Sequence, residues 1–561
     1  MSPKTCRYIT TAIDYANGPP HMGHALEKIG GDVMARYRRR KGEAVHYVIG
    51  MDEHGLKVLQ SAEEREISPQ QWVDDLAAMF QDAWSRLMIS NDDFIRTTEA
   101  RHRRAAHDLV RRIGEAGDLY TDTYSGYYCV GCEGYKTEDE LEPRVDAGDA
   151  ADPGPERAAA LRCPLHPNRT LQWMEEENWF FRLSRYQDRL LDLLDEHPEF
   201  VQPETRRNEI RRVIEGGLED ISVSRARLPW GIPWPDDPDH VMYVWIDALS
   251  NYLSATGFPG DGWQDYWPAD YHVIGKDITR FHCVYWPAFL MSADLPLPRT
   301  VWAHGFISYG GGKMSKSAGV TVTLGDAIER HGPDALRYYL LRDVPWNGDG
   351  DFSWDRFDDV YTAELANDLG NLASRSLSMI ERYRDGTVPD GGRTGLDARI
   401  PDALVRYRAA MDANLLHQGI PRRHPRRPRS DPRRPRRHAR ALHARQDGPP
   451  RPKRRSRGRP PARCGRRARP RRQPRPPGRR AVPAGRSEIA SGRRKYVPGT
   501  SPPPWAVPSR SCNGQPLVSQ RLGALGESRG TRVAERVCGR VLLDAVGNGS
   551  LSCRSSRTSI G

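Results

Sequence analysis

The chain has 561 residues, a length that suggests three or four domains. The net charge of +12 does not describe most of the chain, because residues 421–480 hold 25 Arg and one Lys against two Asp, a net of +24. The other 501 residues therefore carry a net charge of −12. Overall basicity is thus no argument for a nucleic-acid-binding protein.

The first residues, MSPKTCRYITTAI, do not resemble a signal or transit peptide, and no run of 18 apolar residues is present. The nine cysteines are scattered and odd in number, which argues against a disulfide framework and for a reducing compartment. We expect a cytoplasmic protein with no membrane partner.

Residues 8–13 (YITTAI) predict a buried strand, followed by a turn and then a helix that starts near His21. Residues 45–50 (VHYVIG) predict the next strand. This strand–helix–strand order predicts a parallel sheet, whose ligands bind at the carboxyl ends of the strands. Further signals are strands at 240–249 and 271–276, a glycine loop at 310–312, and helices at 326–341 and 357–384.

His21-Met22-Gly23-His24 lies at the predicted strand-to-helix turn. A helix start offers unpaired N–H groups and a positive dipole, which suit a phosphate. Gly23 lets a nucleotide approach the backbone, and the two imidazoles can donate to phosphate oxygens. Alone, the motif also fits a pair of surface histidines.

Lys313-Met314-Ser315-Lys316-Ser317 follows three glycines. Two lysines on a mobile loop suit the charge that develops when ATP loses pyrophosphate. A basic surface loop is the alternative. The combination with HMGH, 289 residues upstream of Lys313, favours a nucleotide site.

Cys129-x2-Cys132 and Cys163-x2-His166 form two tight pairs. Three thiolates and one imidazole are a complete tetrahedral set for Zn²⁺, and a site whose four ligands all come from protein is structural. Incidental cysteines are the alternative. The polar stretch 142–160 between the pairs predicts a surface loop.

HMGH and KMSKS resemble the two signatures of class I aminoacyl-tRNA synthetases. The resemblance is to the methionyl-tRNA synthetases in particular and covers about 1–415 without a break. Met22 departs from the usual Ile or Leu, and Leu249 stands where some members have Pro. The segments that carry the resemblance are TTAIDYANGPPHMGHALEK, MDEHG, DISVSR, PWGIPWP, YVWIDAL, HVIGKDITRFH and NDLGNLASR.

The resemblance implies an enzyme that binds ATP, L-methionine and tRNA(Met), with Mg²⁺ on the ATP and a zinc knuckle in an inserted segment. Asp52 is implied to pair with the methionine ammonium. The residues implied for the methionine side-chain pocket are Ile13, Tyr15, Trp245, Ala248, Tyr252, Ile278 and His282.

The same resemblance assigns the catalytic handling of the triphosphate to His21, His24, Lys313 and Lys316. ATP binding is implied for Gly23, Gly275, Asp277 and Lys316, and anticodon binding for Asn371 and Arg375. Because the usual C-terminal extension is missing, we expect a monomer.

Synthetases for valine, isoleucine or leucine are the nearest rivals, but they carry a larger editing insertion than the 115–225 segment here. A non-catalytic tRNA-binding relative would not need both signatures. A small nucleotidyltransferase would share H-x-G-H but not the zinc pairs or the helical segment.

After residue 417 the globular pattern stops. Residues 421–480 contain 14 prolines and a single large aliphatic residue, Leu442, so we expect disorder. The abrupt change to an Arg/Pro-rich sequence favours the interpretation that this part of the gene is read in a shifted frame. A genuine basic tail that grips tRNA phosphates is the alternative.

The predicted fold is α/β: a Rossmann-like, doubly wound parallel sheet split by a zinc-knuckle insertion, then the start of an α-helical domain and a disordered tail. The predicted ranges are 1–114 and 226–320 for the two catalytic halves, 115–225 for the insertion, 321–360 for a stem-contact segment, 361–417 for the truncated anticodon-binding domain and 418–561 for the tail.

Overall fold

A computed structural model describes residues 6–132, 134–144, 152–226, 228–309, 323–388, 394–395 and 397–420. The KMSKS motif, with Lys313 and Lys316, and the predicted tail from residue 421 onward lie outside the described residues. So does all of Pro425–Gly526, which is one of the two units into which the chain divides.

The described strands, in chain order, are β1 Arg7–Thr11, β2 Asp14–Tyr15, β3 Val45–Asp52, β4 Asp93–Arg96, β5 Leu119–Cys129, β6 Gly134–Lys136, β7 Glu142–Pro143, β8 Leu161–Arg162, β9 Gln172–Phe181, β10 Val201–Gln202, β11 Ile221–Ser222, β12 Ser224–Ala226, β13 Pro233–Trp234, β14 Asp237–Met242, β15 Tyr271–Gly275, β16 Val301–His304, β17 Ile307–Tyr309 and β18 Gly350–Phe352.

The described α-helices are α1 Met22–Arg40, α2 Leu56–Glu63, α3 Pro69–Arg86, α4 Ala100–Glu115, α5 Pro155–Ala160, α6 Gln187–Glu196, α7 Glu204–Glu215, α8 Val244–Leu249, α9 Asn251–Ser254, α10 Trp286–Ser292, α11 Leu324–His331, α12 Pro333–Asp343, α13 Trp354–Val360, α14 Asn371–Arg384, α15 Ile400–Asp412 and α16 Leu416–Gly419. Wider π-helical turns occur at Phe281–Tyr285 and Tyr361–Gly370.

The central sheet has seven strands in the order β10-β16-β15-β1-β3, with β3 pairing further to both β2 and β4. Every pairing in it is parallel. β1 pairs with β3 on one side and with β15 on the other, so the strand order reverses at β1. The predicted parallel α/β sheet is confirmed, and its carboxyl edge beside β1 is where such sheets bind ligands.

α1 starts where predicted, because the side chain of His21 accepts hydrogen bonds from the first free backbone N–H groups of the helix. Its other end is basic, with Arg38, Arg39 and Arg40 in the last turn, which suits the negative end of the helix dipole. Glu27 and Lys28 are buried although both carry charge. The helix therefore packs with ionised side chains inside the protein, which requires partners for each of them.

The range 115–225 forms a separate four-stranded antiparallel sheet in the order β11-β9-β5-β6, together with the β7–β8 pair. One strand from the same range, β10, instead pairs with β16 at the edge of the central sheet. The chain thus leaves the central sheet after β4, returns to its edge at β10, and then adds β11 to the second sheet before α8.

Two predicted elements were wrong in detail. Residues 240–249 are not one strand: β14 ends at Met242, and α8 begins at Val244 after Tyr243. The predicted helix 326–341 is two helices, because Gly332 adopts a φ of 83° and Pro333 starts the second.

The helices after residue 360 are thinly packed. α14 buries none of its residues, and Leu372, Met379 and Tyr383 are each more than 60% exposed. α15 buries Ala410 and Met411 only. Among the described helices, none is long and apolar enough to cross a membrane.

Replacing Gly30 by Ala will destabilise the fold. The added Cβ would lie 1.9 Å from Cη2 of Trp346, so the buried indole must move. We expect the free energy of unfolding to fall by about 1–3 kcal/mol, although alanine favours a helix over glycine by roughly 0.5–1 kcal/mol. Unfolding in urea measures the change.

Gly114→Ala is the matched control, because Gly114 is also helical and its added Cβ would have Leu119 Cδ1 as nearest neighbour, at 3.6 Å. This variant should be slightly more stable than the parent chain. Equal stability of Gly30→Ala and the parent chain would contradict the close packing of Trp346 on α1.

Candidate active site at the carboxyl edge of the sheet

The start of α1 holds His21 and His24 against each other. The two imidazole rings are stacked, with centroids 3.6 Å apart and planes 13° apart. His21 Nδ1 accepts from the backbone N–H groups of Gly23 (3.1 Å) and His24 (3.3 Å), and His24 Nδ1 accepts from the N–H of His21 (3.3 Å). A Cβ at Gly23 would press on the His21 ring at 3.1 Å.

These contacts settle which ring nitrogens carry hydrogen. Because both Nδ1 atoms accept, a neutral ring at either position bears its proton on Nε2, which is then a donor. Burial lowers the pKa of His24 well below its ordinary value, with His21 and Lys28 adding to the effect. No acidic residue lies in the first turn of α1. The helix start is therefore a set of hydrogen-bond donors suited to an anion.

Lys28, one turn further along α1, is completely buried. Its ammonium donates to the carbonyl of Ala12 (2.7 Å), to Asp14 (2.8 Å) and to Glu27 (2.8 Å). Burial alone would lower the pKa of Lys28, but Asp14 and Glu27 outweigh it and raise it. This cluster was not predicted from the sequence. The available signal was the segment ALEK directly after HMGH, which contains two charged residues early in the helix.

The other end of the cluster reaches the next strands of the sheet. Glu27 also lies 3.2 Å from Nε2 of His304, the last residue of β16. Burial would raise the pKa of Glu27, but Lys28 and His304 lower it overall. Burial raises the pKa of Asp14 to about 7 despite Lys28. The pKa values of the two carboxyl groups around Lys28 are therefore shifted in opposite directions.

Next to β15, Tyr252 and His282 form a buried pair. The Tyr252 hydroxyl donates to His282 Nε2 at 2.7 Å, while His282 Nδ1 donates to the carbonyl of Ile278 at 3.0 Å. Burial lowers the pKa of His282 to about 4, so the ring is neutral at pH 7. Tyr252 also stacks on His272, with centroids 4.0 Å apart. His282 therefore contacts two other residues predicted for the pocket, Tyr252 and Ile278.

Trp245 stacks face to face on Phe281, with centroids 3.6 Å and planes 4° apart, and meets His282 edge-on at 6.3 Å. Ala248 lies one turn after Trp245 on α8. Phe281 was not predicted as a pocket residue, although it lies in the segment HVIGKDITRFH. The available signal was its position next to His282.

The remaining predicted pocket residues come from the first strands. Tyr15 and Asp52 are direct partners across the β2–β3 pairing. Ile13 lies against β3, where a Cβ at Gly50 would come within 3.0 Å of its Cγ2. Ile13, Tyr15, Trp245, Tyr252 and Ile278 all belong to, or pack against, one hydrophobic cluster. Ala248 is buried on α8 beside them in sequence, and the pocket itself stays a prediction.

Gly275 ends β15, and Asp277 follows in a short 3₁₀ turn. A Cβ at Gly275 would lie 2.6 Å from Asp277 Oδ1, so glycine lets the carboxylate fold back over the strand end. Asp277 is exposed, as a contact to a bound nucleotide requires. Asn371 and Arg375 are both exposed and lie one turn apart on the same face of α14.

Cys129, Cys132, Cys163 and His166 converge, with all four ligand atoms within 4.8 Å of one another. His166 Nδ1 lies 3.3 Å from Cys132 Sγ, 3.9 Å from Cys129 Sγ and 4.0 Å from Cys163 Sγ. A tetrahedral Zn²⁺ holds S and N ligands roughly 3.3–3.8 Å apart. These residues are therefore arranged to hold a metal ion.

The metal-ligand cluster depends on a glycine. A Cβ at Gly131 would lie 2.3 Å from the His166 ring, so the Cys129–Cys132 turn accommodates the imidazole only without a side chain there. The hydrogen bond between the two thiols lowers the pKa of Cys129 and raises the pKa of Cys132. Both ligand pairs are closed by backbone bonds, from Cys132 N to Cys129 O and from His166 N to Cys163 O.

Comparison with known proteins supports one family. Residues 7–377 match a family model described as tRNA synthetases class I (M). The methionine–tRNA ligase of Brucella suis is 48% identical over 418 residues, which are 73% of this chain and 78% of the relative. That of Rhizobium meliloti is 50% identical over 421 residues, 74% and 79% of the two chains.

Solved structures agree. The crystal structure of Mycobacterium tuberculosis methionyl-tRNA synthetase bound by methionyl-adenylate is 43% identical and has a TM-score of 0.69, covering 74% of this chain and 80% of that chain. The free-state structure from the same organism is 40% identical with a TM-score of 0.62. This chain therefore belongs to the methionyl-tRNA synthetase family of class I aminoacyl-tRNA synthetases.

Proposed function

We infer that this chain is a methionine–tRNA ligase, which activates L-methionine with ATP to methionyl-adenylate, releases pyrophosphate, and transfers the methionyl group to tRNA(Met). The observation that carries this inference is that the stacked His21–His24 pair lies at the start of α1, the helix after β1 and β2, while Tyr252 of the Tyr252–His282 pair stacks on His272 of β15, the strand paired with β1. A candidate anion site and a candidate aromatic pocket are thus built around two neighbouring parallel strands.

In the first step, the methionine carboxylate attacks the α-phosphate of ATP in line. The Nε2–H groups of His21 and His24 donate to the phosphates, and Lys313 and Lys316 neutralise the charge on the departing pyrophosphate. Mg²⁺ bound to the ATP would offset part of the triphosphate charge. Gly23, Gly275 and Asp277 hold the nucleoside, with Asp277 on the ribose.

The methionine side chain lies among Ile13, Tyr15, Trp245, Ala248, Tyr252, Ile278 and His282, and its ammonium pairs with Asp52. A thioether against aromatic rings gains about 0.3–1.5 kcal/mol for each contact. The Nδ1–H group of His282 donates to the carbonyl of Ile278, so Nε2 is an acceptor. Nε2 therefore holds the Tyr252 hydroxyl in one orientation. Shape then separates methionine from shorter and branched amino acids, by about 1–3 kcal/mol per methylene.

In the second step, the terminal ribose hydroxyl of tRNA attacks the acyl carbon. Asn371 and Arg375 on α14 are proposed to contact the anticodon. Because α14 has no buried residue and the described chain supplies few further helices, we expect adenylate formation to exceed aminoacylation in efficiency. The proposed enzyme is a cytoplasmic monomer.

The four-ligand cluster is proposed to hold one structural Zn²⁺. Cys129, Cys132, Cys163 and His166 would fill all four positions, so the metal would stabilise the inserted sheet and take no part in the chemistry. The synthetases for valine, isoleucine and leucine remain the functional rivals. ATP–pyrophosphate exchange across a panel of amino acids separates them, and exchange that depends on an amino acid other than methionine would contradict the proposal.

Lys316→Ala will abolish most exchange while leaving methionine binding intact. Removal of one charge-stabilising donor typically costs about 10²–10³ in rate. Lys41→Ala is the control, since Lys41 follows the opposite end of α1 and pairs with Asp412. A near-normal exchange rate for Lys316→Ala would contradict the proposed role of the KMSKS loop in pyrophosphate release.

Cys163→Ser will lose the bound metal. We expect one zinc per chain in the purified parent protein and less than one tenth of that in the variant, as measured by elemental analysis. Cys6→Ser is the matched control, because Cys6 lies outside the cluster. Equal zinc content in both variants would contradict the site.

Truncation after residue 420 will leave methionine-dependent exchange unchanged within about twofold, because every described residue of the active site precedes it. If the Arg/Pro-rich segment comes from a shifted reading frame, the truncation also leaves tRNA affinity unchanged. Translation of the coding DNA after codon 417 in the other frames then gives a helix-bundle pattern. A collapse of tRNA affinity with a steep salt dependence would instead establish a genuine basic tail.

A further inference from the structure

Asp247 is a completely buried carboxylate between two pocket residues of α8, Trp245 and Ala248. One of its oxygens lies 2.7 Å from His54 Nδ1 and the other lies 2.7 Å from His102 Nε2. His102 is also fully buried, and only 4% of His54 is exposed. Neither imidazole belongs to the residues assigned above to methionine or ATP.

The first histidine belongs to the segment that carries the proposed ammonium-binding residue. His54 lies two residues after Asp52, in the MDEHG segment (51–55) that joins the end of β3 to α2. The residue between them is held as well: Glu53 pairs with Arg96 at 2.6 Å, and its carbonyl accepts from the indole of Trp230 at 2.6 Å. The His54 ring packs on Trp230, with centroids 5.4 Å apart.

The second histidine fixes the other side of Asp247. His102 lies on α4 and bonds through Nδ1 to Ser254 Oγ at 2.9 Å, which lies on α9. The Ser254 hydroxyl in turn bonds to the carbonyl of Asn251 at 3.0 Å. Asp247 is therefore the common acceptor for groups from the MDEHG segment and from α4, and α4 is tied to α9.

The charge on Asp247 is held by these partners. Burial alone would raise the pKa of Asp247, but His54 and His102 lower it to about 2. A carboxylate accepts at both oxygens, so both imidazoles donate to it. Breaking one side of such a buried arrangement leaves an unpaired charge or donor, which costs far more than the loss of an exposed ion pair.

We propose that Asp247 is a positioning residue for methionine recognition: through His54 it holds the segment that carries Asp52 at a set separation from the helix that carries Trp245 and Ala248. The ammonium of an amino acid and its side chain must be bound at once, so this separation selects the length of the side chain. The inference rests on the proposed function. Asp247 touches no substrate in this role.

The central test is Asp247→Asn in the full-length chain. An asparagine has the same shape, but its NH₂ group must face one of the two imidazole donors. We expect KM for methionine in ATP–pyrophosphate exchange to rise about tenfold or more, because displacement of a binding group by 1 Å costs up to about 10²-fold. KM for ATP should stay within about twofold. The preference for L-methionine over L-norvaline, whose side chain is one atom shorter, should fall when measured by kcat/KM.

A pair of variants at His54 separates positioning from simple destabilisation. His54→Asn keeps a side-chain N–H near the position of Nδ1 and should retain a KM for methionine near that of the parent chain. His54→Leu removes the donor and should behave like Asp247→Asn. The combined variant His54→Leu/Asp247→Asn should be no worse than either single variant, because both break one interaction.

Asp118→Asn is the matched control. Asp118 is also buried, at 4% exposure, and accepts from Arg185, Tyr186 and Ser292, none of which is assigned to the methionine site. This variant should lose thermal stability without a change in KM for methionine. If Asp247→Asn behaves in the same way, or if His54→Asn is as impaired as His54→Leu, the positioning role is wrong.

Equilibrium binding of methionine, measured by calorimetry on the same variants, separates this inference from the proposed function. A parent chain that binds methionine without exchange would contradict the proposed catalysis, and the Kd series would still decide the role of Asp247. A parent chain that does not bind methionine would overturn both.

Discussion

The buried ammonium of Lys28 is the interaction on which the rest of the site depends. It joins the carbonyl of Ala12 after β1, the Asp14 carboxylate on β2, and Glu27, which reaches His304 at the end of β16. One charge therefore fixes the inner face of α1 against three strand ends. A buried ion cluster of this kind adds little stability over an apolar core, but loss of one member costs about 3–5 kcal/mol, so it specifies a single arrangement.

That arrangement extends to the helices after the sheet. The Trp346 indole stacks on His304, with planes 13° apart, and fills the space above Gly30 on α1. Its backbone N–H donates to His417 Nδ1 at 3.1 Å. α15 adds a second connection, because Asp412 accepts from Tyr37 and Lys41 at the far end of α1. The last helices described are thus built onto the catalytic core, whereas α14 stands largely in solvent.

Two arginines connect the inserted segment with the elements around α8. The Arg225 guanidinium lies 4.2 Å from the centre of the Tyr243 ring, next to α8, and 5.2 Å from that of Tyr135 on β6. Arg280, which precedes Phe281, lies 3.5 Å from Glu140. A metal ion in the four-ligand cluster would therefore stiffen a segment that contacts the proposed methionine pocket.

The amino-acid sequence by itself determined the features that depend on near neighbours. The capping of α1 by His21, the convergence of Cys129 with Cys132, and the parallel sheet all follow from spacing, helix-end chemistry and strand–helix–strand order. Tertiary structure alone decided that 244–249 is a helix, and it alone paired His54 with Asp247, 193 residues apart, and His102 with the same carboxylate, 145 residues apart. Periodicity and capping act over a few residues, whereas the partner of a buried charge is set by which elements pack together, and no local pattern encodes that choice.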